Sequence, residues 1–328
     1  MRFPTHLVPR AAKNLVPGYR RHWRHSYAAL LSEFQRLVPS LSFGETDGVP
    51  WLEHSTSDLR LHGFWTEHED ADLFDDLRPD LPRALEKKYF RLTRDYLTRY
   101  MYAHMRPDLK PGGYSSPEMM GFHGQHKETI VDFEEVSVRE ALIDAFRPRP
   151  ADVIIDGGAF LGFGDIRLAS DLKDGTVYAV EASPQCHALL ELNVSHNGIS
   201  NIVPIQRGVW NEFSTIDLQS SYAQANSLVS EVHTGETTVS VPTVTIDGLV
   251  ESYNIQRVDM ISLTLNGAEP EALQGAEETL SLHRPRVRLP GWYTRNGRPI
   301  SDICREIMER HNYDVFIGAR RNTFGLPR

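Results

Sequence analysis

Apolar positions along this chain change their spacing near residue 136. Before that point they recur three and four residues apart, the pattern of amphipathic helices. Tyr27 to Leu37 carries Leu30, Leu31, Phe34 and Leu37 on one face, and Pro82 to His104 carries Leu85, Tyr89, Leu92, Tyr96, Leu97 and Tyr100 on related faces. A polar, turn-rich and then acidic stretch from Ser40 to Asp76 separates the two, and Pro107, Pro111, Gly112 and Gly113 end the second. The spacing predicts a mostly helical, partly irregular accessory or cap region over residues 1–130.

From about Val136 short apolar runs alternate with helical segments, which predicts an α/β domain with a mainly parallel sheet over residues 131–328. The predicted strands are Val153–Asp156, Val177–Glu181, Ile202–Gln206, Met260–Leu265 and Val287–Leu289. Helices fit between them at Gly162–Leu172, Pro184–Asn197 and Pro270–Leu282. The second of these has Ser183 as an N-cap, Pro184 in its first turn and Gly198 at its end. Residues 213–241 alternate Thr, Val and Ser and predict a β-hairpin excursion. A helix at Ile300–Arg310 then leads to two closing strands, Tyr313–Arg320 and Thr323–Leu326, separated by Arg321–Asn322, which would add an antiparallel strand to the sheet.

The stretch Val153-Ile154-Ile155-Asp156-Gly157-Gly158-Ala159-Phe160-Leu161-Gly162 runs from a buried strand through a glycine-rich turn into a helix. Glycine permits a tight turn and lets a ligand approach without a Cβ in the way. The next strand ends in Glu181, 19 residues past Gly162, where a carboxylate can accept both hydroxyls of a ribose. The dinucleotide spacing G-x-G-x-x-G is absent. A pyrophosphate favours bare amides at a helix start, whereas S-adenosylmethionine has no phosphate and tolerates an acid such as Asp156. The turn therefore suits S-adenosylmethionine, with S-adenosylhomocysteine as product, better than NAD.

These residues carry a family likeness. Asp156 to Gly162, Val180-Glu181-Ala182-Ser183-Pro184, Leu192-Asn193-Val194-Ser195-His196-Asn197, and Asn266-Gly267-Ala268-Glu269 with Ala272-Leu273 follow one another in order, and the chain resembles the FkbM family of class I methyltransferases. The likeness covers Val131 to Arg328, about 60% of the chain. It implies a Rossmann-like seven-stranded sheet with a reversed last strand, S-adenosylmethionine as methyl donor, and O-methylation of sugars, glycans or natural products. Position by position it makes Gly158, Gly162 and Glu181 cofactor contacts, with Asp156, Gly157, Ala159 and Ala182 beside them. One departure stands out. Where many members have Lys-Ile-Asp-Val-Glu-Gly, this chain has Ser262-Leu263-Thr264-Leu265-Asn266-Gly267. Two carboxylates near the expected transfer centre are thereby lost, and with them the oxygen ligands a hard cation prefers. The expectation is metal-independent transfer, with a non-catalytic binding or scaffold protein as the alternative.

Candidates for the chemistry are few. Gly121-Phe122-His123-Gly124-Gln125-His126 lies just upstream of the first predicted strand, and the candidate bases are His123, His126, Glu128 and Glu269. Asn266, at the expected end of the fourth strand, could orient an acceptor hydroxyl. Glu269 is a second acid there, although it precedes Pro270 at a helix start, where a carboxylate is favoured by the helix dipole alone. Tyr222, Asn226 and Trp292 could line the acceptor pocket.

Composition adjusts this picture in three places. The 328 residues are 40% hydrophobic and 24% charged with a formal net charge of −9, an ordinary globular composition whose acidity argues against a broad grip on nucleic acid. Residues 1–39 are the exception, with Arg2, Arg10, Lys13, Arg20, Arg21, Arg24 and Arg36 against Glu33 alone, so the rest is more acidic than the average and the basic arm could touch an acidic surface. Two cysteines, Cys186 and Cys304, suit neither a disulfide framework nor a four-cysteine zinc site. No signal-peptide core or membrane span is evident, and a cytoplasmic location is expected.

Overall fold

The computed structural model describes residues 41–46, 49–54, 59–62, 133, 135–220, 227–230, 237–318 and 321–328. Both helices expected before residue 105, the basic arm, the 121–126 segment, Glu128, Tyr222 and Asn226 lie outside the described residues. The chain divides into two compact units, Met1–Pro111 and Gly112–Arg328.

In the first unit, residues 41–62, read from the sequence as part of a polar, turn-rich stretch, form strands. There β1 (Leu41–Thr46), β2 (Val49–His54) and β3 (Leu59–His62) form an antiparallel meander. Gly44 is paired with Trp51, and a Cβ at Gly44 would lie 2.2 Å from the indole ring. Arg60 stacks over the same ring at 4.2 Å and pairs with Glu53, so the tryptophan is gripped on two sides.

The second unit is built on a seven-stranded sheet. Its strands are β4 (Val153–Gly157), β5 (Thr176–Glu181), β6 (Ile202–Gln206), β10 (Met260–Leu263), β11 (Arg286–Pro290), β14 (Tyr313–Ile317) and β15 (Asn322–Pro327). The order across the sheet is β14-β15-β11-β10-β4-β5-β6. The pairs from β6 through β11 are parallel, and β15 runs antiparallel to both β11 and β14. This is the mainly parallel Rossmann-like sheet with a reversed last strand that the sequence implies. Helices α1 (Val136–Ala145), α2 (Phe163–Asp171), α3 (Pro184–His196), α4 (Ile246–Ser252), α5 (Glu269–Gln274), α6 (Glu277–Leu282) and α7 (Ile300–Arg310) connect or cover the strands. The predicted excursion is present with shifted bounds. Its strands β8 (Thr215–Ser220) and β9 (Thr237–Val244) are antiparallel, and the two-residue β7 (Gly208–Val209) lies beside β9. A small hairpin, β12 (Thr294–Arg295) and β13 (Arg298–Pro299), precedes α7.

Local chemistry explains the boundaries. Ser183 Oγ accepts the Cys186 amide and Pro184 opens α3. The helix expected at residues 270–282 is instead two short ones. Gly275 passes so close to the Trp210 carbonyl that a Cβ would stand 2.3 Å from its oxygen. Asp247 then caps the restart, accepting the amides of Glu278 and Thr279 at 3.0 and 2.8 Å.

Alternation along the strands sorts residues onto two faces. Ile155, Val180, Ile261, Leu263, Val287 and Leu289 join the core cluster with α4–α7 residues such as Leu249, Leu273, Leu280, Ile300 and Met308. The neighbouring row, Asp156, Ser262, Arg288 and Phe324, is in register across β4, β10, β11 and β15 on the opposite face. At that row's end Phe324 packs edge-on against Phe133 and Phe146, with ring centroids 5.8 and 5.1 Å away. Among the described residues no helix is long and apolar enough to cross a membrane, and both cysteines are buried free thiols.

Candidate functional site

An open cavity of about 580 Å³ lies at the C-terminal ends of β4, β5, β6 and β10. Ligands of α/β sheets bind at this edge. Gly158, Glu181, Ala182 and Asn266, all singled out from the sequence, line it. Asp156, Gly157, Ala159 and Gly162 are not part of its wall; they shape the loop behind it.

That loop is held from several sides. The amides of Gly158 and Ala159 donate to the Val180 carbonyl at 2.8 and 3.1 Å, and the Thr264 amide donates to the Gly157 carbonyl at 2.8 Å. Asn193 Nδ2 donates to the Leu161 carbonyl at 2.9 Å from α3. Gly158 has φ +84°, and a Cβ there would come within 2.1 Å of the Thr264 carbonyl oxygen. Only glycine meets both demands. Phe160 also has a positive φ, 55°, and its side chain lines the cavity.

Glu181 closes this turn. Its Oε2 accepts the Phe160 amide at 2.9 Å and its Oε1 accepts the Ser183 amide at 2.8 Å. A carboxylate has about four acceptor sites, so Glu181 can also accept hydroxyl donors such as those of a ribose. Burial pushes the Glu181 carboxyl up to about 7, against the pull of those amides, and Asp156 adds to the rise. Behind it Asp165 is fully buried beside Asp156. Burial and the neighbouring Asp156 raise its pKa well above the ordinary carboxyl value.

The opposite wall is the turn after β10. Asn266 has φ +50°, and its Oδ1 accepts the Tyr293 hydroxyl at 3.2 Å while its carbonyl accepts Ser227 Oγ at 2.8 Å. Glu269 does not reach the cavity. It is fully buried, and its oxygens accept the Leu265 and Gly267 amides at 2.9 and 3.0 Å, so it ties the turn to the start of α5. Burial raises its carboxyl to about 7 as well. Arg295 holds the same turn from outside, bonding the Gly267 carbonyl and forking onto Glu271 at 2.6 and 2.8 Å. Trp292 is half-exposed beside Tyr293 and His126 lies outside the described residues.

Phe160 and Thr264, from the motifs quoted above, also line the cavity, and so do Arg207, Val209, Leu218 and Leu228, which the sequence did not single out. Arg207 directly follows β6, so a search of strand ends would have found it. Leu218 and Leu228 come from the excursion, where alternation alone does not tell the cavity face from the outer one. Together the apolar wall, the glycine loop and Glu181 fit a nucleoside, with flat apolar surface for a base and a carboxylate for its ribose. Among the described residues no group of three His, Cys, Asp or Glu side chains is placed to hold a metal ion.

Residues 156–316 match the methyltransferase FkbM domain. Solved structures of similar fold include the methyltransferase FkbM from Methylobacillus flagellatus KT, at 15% identity and TM-score 0.42, covering 77% of this chain and 64% of that one. A precorrin-6y C5,15-methyltransferase from Geobacter metallireducens GS-15 is 12% identical with TM-score 0.37, covering 60% of this chain and 90% of that one. A fibrillarin from Aeropyrum pernix, in complex with natively bound S-adenosyl-L-methionine, is 13% identical with TM-score 0.34, covering 54% and 66%. No curated protein matches the chain.

Proposed function

The chain belongs to the FkbM methyltransferases through residues 156–316, and from that premise we propose that it transfers a methyl group from S-adenosylmethionine to a hydroxyl oxygen of a small polyhydroxylated acceptor, without a metal ion. The observation that carries the cofactor assignment is Glu181, buried at the cavity wall and oriented by main-chain amides on both of its oxygens. When bound, the cofactor supplies an electrophilic methyl group on a sulfonium.

The chain's own residues then have distinct tasks. Glu181 accepts the ribose hydroxyls, and the Gly158 loop brings main chain close to the ligand. Val209, Leu218 and Leu228 exclude water from the base. Asn266, its amide fixed by Tyr293, orients the acceptor hydroxyl, and alignment of this kind supplies much of the rate in an in-line displacement. Glu269 and Arg295 act through Asn266 by fixing its turn. The proton leaving the hydroxyl is assigned to the His126 imidazole, a group that titrates near neutrality. The acceptor class, a sugar, glycan or secondary metabolite, is supported by the family resemblance, and the acidic chain supports a non-nucleic-acid partner.

Titration calorimetry with S-adenosylmethionine and S-adenosylhomocysteine tests this reading. Saturable binding of both is expected, weakened by about 1–3 kcal/mol in Glu181→Ala. Absence of binding by either ligand would overturn it. The loss of carboxylates at Thr264 and Asn266 favours the second reading, a binding protein that keeps the fold. Release of S-adenosylhomocysteine with any member of a hydroxylated acceptor panel excludes that.

A further inference from the structure

The glycine loop contains one residue that departs from its own pattern. Gly158 and Gly162 take up φ angles of 84° and 77° with no side chain to place, and between them Phe160 stands at φ 55°. A left-handed backbone is unfavourable under a bulky side chain and easy for a glycine. The structure nonetheless holds Phe160 there. Its amide donates to Glu181 Oε2 at 2.9 Å, and the Gly162 amide after it donates to the Ala159 carbonyl at 2.9 Å. Core packing does not explain the choice, because Phe160 is half-buried and stands apart from the hydrophobic core cluster. It lines the cofactor cavity instead. Among the described residues no other ring and no arginine or lysine stacks on it. Backbone strain of this kind collects at ligand clamps.

The order of strands says which part of the ligand meets this ring. Across the sheet the order runs β10, β4, β5, β6. Glu181, assigned to the ribose hydroxyls, ends β5, and Asn266, assigned to the acceptor, follows β10. A methyl donor with its ribose at β5 and its methyl delivered beside β10 must carry its sulfur over the loop after β4. That loop presents Phe160. The charged residues lining the cavity are Glu181 and Arg207, and Arg207 follows β6, on the far side of Glu181 from the loop. An aromatic face is electron-rich and attracts a cation held against it. S-adenosylmethionine brings one in its sulfonium, whereas the sulfur of S-adenosylhomocysteine is an uncharged thioether.

We propose that Phe160 sets the cofactor preference of this site: its ring stacks on the sulfonium and selects the charged methyl donor over the neutral product. The proposal rests on the S-adenosylmethionine reading above. A ring acting only as an apolar wall would serve donor and product alike. Attraction to the charge makes the ring hold the product less tightly than the donor, which favours exchange of product for fresh donor after each transfer.

The full chain is titrated calorimetrically with S-adenosylmethionine, with S-adenosylhomocysteine, and with sinefungin, which carries an ammonium where the donor carries its sulfonium. In Phe160→Leu the affinity of each cationic ligand relative to S-adenosylhomocysteine is expected to fall about fivefold. Phe160→Tyr keeps the ring and should keep the parental ratios within twofold. Phe160→Gly relieves the backbone while removing the ring, so it reads the same ratios even where Phe160→Leu does not fold. Ratios unchanged within twofold in the ring-less variants overturn the proposal. Equal losses for all three ligands overturn it in the same way, because they make the ring an apolar wall or place it on the α-ammonium that all three share. Failure of the parent chain to bind any of the three is a different result, which sinks the S-adenosylmethionine reading itself.

Discussion

Lowering the pH should weaken cofactor binding through a single buried carboxyl, Glu181. Its pKa in the free protein is about 7, raised by burial and by Asp156. Ribose hydroxyls donate to the ionised form, so a ligand that uses both oxygens must draw the carboxyl to ionise. If the bound carboxyl stays ionised, affinity falls by the fraction protonated in the free protein. Between pH 7.5 and 5.5 that fraction changes enough to weaken S-adenosylhomocysteine binding about 25-fold, or about 2 kcal/mol. Calorimetric titration at half-unit steps reads this directly, and Glu181→Gln, which cannot ionise, should flatten the curve. Binding that is level across the window, or a slope that survives in Glu181→Gln, refutes the reasoning; the latter would transfer the titration to the Asp156–Asp165 pair. Stability of the free protein should move the other way. A carboxyl whose folded pKa is raised binds its proton more tightly folded than unfolded. Glu181 and Glu269 therefore favour the folded state most below about pH 4.5 and lose that contribution as pH rises through about 7. Urea denaturation between pH 5 and 8 should show falling stability from these two sites, and Glu181→Gln should remove its share.

Three other substitutions read separate parts of the structure. Gly158→Ala must fit a Cβ 2.1 Å from the Thr264 carbonyl oxygen at φ +84°, and should cost at least about 2 kcal/mol together with most of the cofactor affinity; a variant with parental urea midpoint would contradict the geometry. Asp152→Asn leaves Arg286 buried without its counter-charge and should lower stability by about 3–5 kcal/mol in the same assay. Asn266→Gly keeps the positive φ of the turn but deletes the amide held by Tyr293. Release of S-adenosylhomocysteine should slow about tenfold or more while its affinity stays within about threefold, and equal losses in both would place Asn266 with the cofactor alone.

Much of the second unit was legible because its strands are buried on both faces. Runs such as Val153-Ile154-Ile155 and Val177 to Val180 are buried or partly buried throughout, so they stand out from the helices between them. The errors lie where tertiary contacts overrule the pattern. The spacing at 270–282 is helical throughout, and nothing local reveals that the Trp210 carbonyl and the Asp247 cap break it at Gly275. In the first unit, the 41–62 stretch reads as turns because Gly44 and Pro50 interrupt it, although Gly44 is there to admit the Trp51 ring. For the site, the glycine loop and Glu181 are contiguous signals with a known interval. Leu218, Leu228 and Thr264 reach the same cavity from distant segments, and only the assembled sheet brings them together. Glu269 shows the limit from the other side: an acid beside the right strand end whose oxygens turn inward onto its own loop.

The reversed strand β15 has a consequence for how the molecule assembles. Edge strand β14 has β15 as its sole neighbour in the sheet, and β15 in turn reaches the parallel strands through β11. The β14–β15 hairpin is closed locally, with the Gly318 amide bonded to the Asn322 carbonyl at 2.9 Å. Hairpins of this kind form in microseconds, whereas pairing between distant strands waits on chain diffusion and loop closure. The hairpin should thus exist as a preassembled clip that docks onto β11 in one event. Arg288 and Asn322, from the two sides of that joint, first come to share a cavity at docking. Completion of the sheet and creation of that cavity are then the same step.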